Sequence, residues 1–239
     1  MKQALAEVLN VLRSEGNHRN VEGMARFGIT TAKAYGVSAP FIRSLAKTIG
    51  RNHTLALQLW STEILEARAL AALIGDPEQV TRSLMNKWVR DFDNWAVCDG
   101  ACSILFDKTP FASEMAFAWT KRKAEFVKRA GFVLIAALAV HNKETSDAAF
   151  LKFLPVITRE STDPRNFVKK AVNWALRQIG KRNLKLNSAA IKTAKRIRRI
   201  ASTPARWIAA DALRELESTA VRKRLLEKER RRPRIQRRS

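Results

Sequence analysis

The sequence predicts an all-α fold of stacked helix pairs of the HEAT or armadillo type, and three observations lead there. Apolar residues recur at helical spacing along nearly the whole chain, while strand alternation is almost absent. The predicted helices are short and tightly connected, at about two per 35–45 residues, the rhythm of helical-repeat arrays. Prolines mostly stand where helices begin, and several glycines stand where they stop. No internal repeat is crisp, so on this reading a globular helical bundle stays open.

Taken in order, the pattern predicts helices over 2–14, 19–27, 39–50, 53–60, 62–74, 77–91, 95–106, 110–121, 124–140, 145–159, 164–179, 187–200, 204–217 and 219–230. Asp76-Pro77-Glu78-Gln79 is a start signal, with Asp76 as N-cap, Pro77 in the first turn and Gln79 completing a capping box. Asp163-Pro164 and Thr203-Pro204 read the same way, and Gly50, Gly75 and Gly180 read as helix stops. Residues 1–221 are expected to form one helical-repeat domain. Residues 222–239 are expected to be a basic helix end followed by a flexible Arg-rich arm.

A chain of 239 residues with 46% apolar content can bury a real core. Its charge is unusual: the net value is +23, with a pI near 11.0. Residues 222–239 carry ten Lys/Arg against two Glu, so +15 belongs to residues 1–221 and the basicity is not merely a tail. Such a surplus calls for an anionic polymer as partner, nucleic acid first. A membrane surface fits less well, because no long amphipathic anchor stands out.

Cys98 and Cys102 lie four apart on one predicted helix, and His18, His53 and His141 are scattered. No metal site is therefore expected, and the cysteines read as small core residues. The first residues contain no signal-peptide core, and the longest apolar run, Gly131 to Val140, is too short to span a bilayer. The expectation is a soluble, cytoplasmic protein.

Two stretches stand out. In Asp91-Phe92-Asp93-Asn94-Trp95-Ala96-Val97-Cys98-Asp99, residues Val97, Cys98, Ala101, Ile104 and Leu105 share one helix side. Trp95 and Asp99, four apart, present a ring and a carboxylate together away from it. In Arg165–Arg177, Val168, Val172, Ala175 and Ile179 share the core side, and Trp174 lies off it beside Lys170, Arg177 and Lys181. The Trp-x-x-x-Asp spacing alone means little: Trp207 and Asp211 repeat it, and a helical Trp is usually packing. The acids upstream and the second off-core Trp in a basic face single out the first pair. Arg129 sits in an otherwise apolar helix and needs a partner. A carboxylate such as Asp99, a phosphate or a structural ion pair would each serve.

These stretches, with Glu125-Phe126-Val127-Lys128-Arg129-Ala130, Gly36-Val37-Ser38-Ala39-Pro40 and Ala205-Arg206-Trp207-Ile208-Ala209, resemble the DNA alkylation repair family, whose best-understood members are the AlkD-type HEAT-repeat DNA glycosylases. The likeness covers roughly residues 20–225. It implies a right-handed superhelix with a basic concave face that cradles duplex DNA. Asp99 is then the catalytic carboxylate, Trp95 and Trp174 are aromatic walls against the damaged nucleotide, and Arg129 holds DNA nearby. Lys128, Lys169, Lys170, Arg177 and Lys181 become DNA contacts. The implied reaction is hydrolysis of the N-glycosidic bond of cationic alkylpurines (3-methyladenine, 7-methylguanine) in duplex DNA without base flipping. A nucleoid-associated monomer with no metal or cofactor goes with it. One departure is Ala96, where the family often has an acid; it leaves Asp99 in place and bears on local polarity and substrate range. Against this enzyme stand a non-catalytic HEAT-repeat protein recognising DNA or RNA shape and, less compatible with +23, a protein-binding scaffold.

Overall fold

The computed structural model describes residues 4–29 and 32–231, and among these it contains helices and no strands. The α-helices are α1 (Leu5–Ser14), α2 (His18–Ala25), α3 (Ala39–Ile49), α4 (His53–Ser61), α5 (Leu65–Ile74), α6 (Arg82–Trp88), α7 (Trp95–Ile104), α8 (Ala112–Thr120), α9 (Glu125–His141), α10 (Asp147–Leu151), α11 (Phe153–Glu160), α12 (Asn166–Gly180), α13 (Leu184–Arg198), α14 (Thr203–Leu216) and α15 (Thr219–Arg231). They fall into two compact units divided after Ala112.

The first unit is built on α5, which packs against α3, α4 and α7 and buries Ala67, Leu70, Ala71 and Ile74. Beside it Trp60 and Trp88 stack with ring centroids 3.9 Å apart and an interplanar angle of 3°. Phe92 meets Trp60 edge-on at 6.0 Å. Aromatic pairs of this kind add about 0.5–1.5 kcal/mol beyond the area they bury. One local feature of the sequence is forced by geometry. Gly36 has φ +79, and a Cβ there would lie 2.1 Å from the Asn17 carbonyl oxygen, so only glycine fits.

The second unit is organised around α9, whose residues from Ala130 to Ala136 are fully buried, and α12, which packs along it. Here α12 also meets α11, α13 and α14, and α15 closes against α13 and α14. Gly131 lets α9 approach the end of α8: a Cβ would stand 2.7 Å from the Thr120 backbone nitrogen.

The predicted helix over 77–91 is broken in three. Asp76 caps only a 3-10 turn, Pro77–Gln79, and the capping box does not close: the Gln79 side-chain amide donates to the Asp76 carboxylate, while the Asp76 N–H donates to His53 Nδ1. Val80 is then pulled extended into the core, and Thr81 caps α6 by accepting from the Leu84 N–H at 3.1 Å. A further 3-10 turn, Val89–Asp91, follows. The helix expected over 145–159 breaks at Lys152, because Pro155 lacks an N–H and its ring opposes the carbonyl four residues back, where α10 ends. Asp163 does not cap α12; the N-cap is Arg165, whose backbone N–H and guanidinium both bond the Asp163 carboxylate. Ser202, not Thr203, precedes α14. Helix α13 starts at Leu184, three residues early, because the Asn183 side chain accepts from the Leu186 N–H at 2.8 Å. Gly50 and Gly75 do follow α3 and α5, whereas Gly180 is the last residue of α12. No helix among the described residues is long and apolar enough to cross a membrane. The Arg-rich arm falls on residues 232–239, outside the described residues.

Candidate nucleic-acid interface

The first candidate region, in the first unit, is the start of α7. Asn94, 1% exposed, caps it: its side-chain oxygen accepts from the Ala96 and Val97 N–H groups at 2.9 and 3.1 Å. The cap fixes the helix phase, which buries Val97, Cys98, Ala101, Cys102 and Leu105 and leaves Trp95 and Asp99 half-buried. Ile104, grouped with the buried stripe by the sequence pattern, is only half-buried. The Trp95 indole N–H donates to the Phe27 carbonyl at 2.8 Å, which ties the ring to the end of α2. Trp95 thereby joins Phe27, Met24 and Val37 in an open groove of about 520 Å³.

Two residues that the sequence pattern does not single out, Glu66 and Arg68, steady this corner. Glu66, 1% exposed on α5, accepts from the backbone N–H groups of Tyr35, Gly36 and Val37 at 3.0, 2.7 and 3.3 Å. It thus holds the Gly36-Val37-Ser38 turn whose last residue caps α3. Arg68, 7% exposed, donates to the Asp91 carbonyl at 3.1 Å and stands over the Trp60 ring. The Asp91 carboxylate accepts from the Trp60 indole at 2.8 Å. Next to them, at the N-terminal end of α7, a cavity of about 340 Å³ is lined by Lys33, Glu63, Arg68, Asp91, Asp93 and Asn94. The upstream acids are therefore partly structural: Asp91 fixes a core indole and Asp93 accepts from Asn94. The signal available for Glu66 and Arg68 was their position on the apolar face of α5, where a charge demands a partner. Cys98 and Cys102 are both fully buried and reduced. Burial first, then the Cys98 hydrogen bond and the nearby Asp99 and Asp107 charges, pushes the Cys102 thiol well up.

The second candidate region, in the second unit, is α12 with the elements around it. Val168, Val172, Ala175 and Ile179 are fully buried, and Trp174 is half-buried. The line Lys169, Asn173, Arg177, Lys181 runs along α14 and meets Trp207, Asp211 and Glu215 in register. Asn173 donates to Asp211 at 2.6 Å, Arg177 to Glu215 at 2.8 Å, and Lys181 to Glu215 at 2.7 Å. Arg177 also stands 3.5 Å from Asp211. Lys169 lies over the Trp207 ring, 4.7 Å from its centroid. Burial disfavours ionised Glu215, but Lys181 and Arg177 outweigh it and hold its carboxyl below the usual range. Lys170 is exposed and forms no ion pair among the described residues.

Arg129 is 6% exposed, and its guanidinium donates to the Phe167 carbonyl at 2.7 Å, next to the first turn of α12. Lys128 beside it bridges Glu160 at 2.5 Å and Asp163 at 3.3 Å. Both carboxyls are held below their usual range: burial opposes this, and the hydrogen bonds from Lys128 and Arg159 to Glu160, and from Arg165 to Asp163, prevail. Arg165 completes the lock by donating to the Lys123 carbonyl at 2.6 Å. Of the five candidate DNA-contacting cations, then, Lys128, Arg177 and Lys181 are engaged with carboxylates, Lys169 with a ring, and Lys170 faces solvent.

A family model described as "DNA alkylation repair enzyme" matches residues 8–216. No curated protein matches the chain. A solved structure described as "A new family of proteins related to the HEAT-like repeat DNA glycosylases with affinity for branched DNA structures" is similar to it at 20% identity, with a TM-score of 0.77 over 93% of this chain and 96% of that one. At that identity the likeness establishes the HEAT-like repeat fold. The family match, over most of the length, establishes more: the chain belongs to the DNA alkylation repair enzyme family.

Proposed function

We propose that the protein is a DNA glycosylase that releases cationic alkylated purines, of the 3-methyladenine and 7-methylguanine type, from duplex DNA without extruding the base. The observation that carries this reading is Asp99 one helical turn beyond a half-buried, anchored Trp95, in a chain of this repair family. A purely binding surface gains nothing from a carboxylate turned toward phosphates, since like charges cost affinity.

Alkylation at N3 or N7 makes the purine cationic and already a good leaving group, so little general-acid help is needed. The glycosidic bond then breaks through an oxocarbenium-like sugar, the species that glycosidase carboxylates stabilise. The Asp99 carboxylate supports that positive charge and orients the attacking water. An indole face stabilises such a cation by roughly 0.5–2 kcal/mol, the role that the family resemblance gives to Trp95 and to Trp174. Arg129, steadied by the Phe167 carbonyl, holds the strand, and Lys170 is the most available phosphate contact. This chemistry asks for no metal or redox cofactor. Selectivity comes from the lability of cationic lesions, not from a base-reading pocket. We propose a monomer acting wherever the cell keeps its DNA.

The second reading, a non-catalytic protein that recognises DNA or RNA structure, is favoured by the description of the similar solved structure, which names affinity for branched DNA. One experiment separates the two: release of free 7-methylguanine from methylated duplex, wild type beside Asp99→Asn. The glycosylase reading expects release by wild type and a loss of about 100-fold or more in the variant, with duplex affinity kept. Tight binding without release by wild type gives the second reading.

A further inference from the structure

Of the six tryptophans, Trp60, Trp88 and Trp119 are at most 2% exposed, whereas Trp207 on α14 is 40% exposed and is the most open of the set. It also ends the α12–α14 seam. At the other positions along that seam each cation meets a carboxylate: Arg177 and Lys181 meet Glu215, and Arg177 also meets Asp211. Lys169 alone meets an indole face. A phosphate approaching Arg177 or Lys181 must displace a carboxylate and leave it half-buried. At Lys169 nothing anionic has to be displaced, and the ammonium is already held over the ring. The neighbouring acid, Asp211, is engaged by Asn173, Arg177 and Arg214. Arg206, next to Trp207, is exposed as well.

We infer that Trp207 and Lys169 form a further contact for the sugar–phosphate backbone of a nucleic-acid strand: the Lys169 ammonium pairs with a phosphodiester oxygen, and the free part of the indole face packs on the adjoining sugar. The Trp207-x-x-x-Asp211 spacing, which by itself only mimics the Trp95–Asp99 pair, then has its own use. The ring binds, and Asp211 organises the cations. This inference rests on the proposed DNA-handling role but not on glycosylase chemistry.

The test compares the full chain with Trp207→Ala, Trp207→Phe and Lys169→Gln, measuring the dissociation constant for unmodified duplex across a series of salt concentrations. Trp207→Ala weakens binding roughly 5- to 10-fold, in the range that single aromatic contacts contribute to strand binding. Trp207→Phe, which keeps an aromatic face, recovers most of this. Lys169→Gln lowers the salt slope by about 0.9, the signature of one lost phosphate contact. Lys169→Gln also serves where Trp207→Ala perturbs folding. Duplex affinity and salt slope equal to wild type in Trp207→Ala and Lys169→Gln overturn the inference, even when 7-methylguanine is released normally. Weakened binding in these variants sustains it, even where wild type releases no base and the glycosylase reading falls.

Discussion

The two candidate regions, one in each compact unit, are held in place by different forces. At α7, Trp95 is anchored by a neutral hydrogen bond to the Phe27 carbonyl, and the turn behind it by three backbone N–H groups on Glu66. Around α12 the work is done by ion pairs: Lys128 with Glu160 and Asp163, Arg177 and Lys181 with Glu215. The first arrangement depends little on salt, because its hydrogen bonds go to backbone groups. The second is neutralised internally, each of these cations being held by a carboxylate. The net charge of +23 already subtracts these carboxylates, but it does not say which cations they hold. The difference separates a corner held by hydrogen bonds to backbone groups from a face held by ion pairs.

The sharpest way to break the first region is Gly36→Ala. With φ +79 and a Cβ 2.1 Å from the Asn17 oxygen, the turn must rearrange, and we expect a loss of about 3 kcal/mol or more in urea unfolding. A loss under about 1 kcal/mol, the scale of ordinary surface substitutions, would mean the turn is not the anchor that this geometry makes it.

In the second region, Lys128→Met removes the cation that Glu160 and Asp163 share but leaves Arg159 and Arg165 on them, and should cost about 1–2 kcal/mol at neutral pH. The pH dependence has a definite sign. Glu160 and Asp163 have folded-state values depressed below their ordinary 4.5 and 3.8, so the unfolded chain takes up protons first as pH falls. Their stabilisation is complete above those values and is lost as pH drops through the folded ones. The cost of Lys128→Met should accordingly shrink at pH 3, and an equal cost at pH 7 and pH 3 would remove the ion pairs as its cause.

The smallest effect sharpens the contrast most. Glu215→Gln releases Arg177 and Lys181 from their shared carboxylate at a stability cost under about 1 kcal/mol. Duplex binding should then tighten about 3-fold, with a steeper salt slope. Binding that is unchanged or weaker would take the α12 cations out of the DNA contact.

Helical periodicity was strong enough to read most helices and the buried stripes of α7 and α12 directly, because a 3.6-residue repeat of apolar side chains needs no knowledge of neighbours. The failures came where local and distant demands conflict. Burial of Val80 broke one long predicted helix, and Pro155 broke another in spite of a continuous apolar pattern. The off-core placement of Trp95, Asp99 and Trp174 was equally legible. The supports beneath them were not: nothing local in Glu66 says that it will hold a turn 30 residues earlier in the chain.

By itself, then, the sequence determined the helical class, the strong basicity, the phase of the two key helices and the motifs that place the chain in its family. Only the tertiary structure decided which charges are spent internally. Periodicity is a property of one helix, whereas an ion pair between α12 and α14 depends on how two helices pack. The chain therefore declares its 45 Lys and Arg residues openly but not which of them already have a carboxylate to hold.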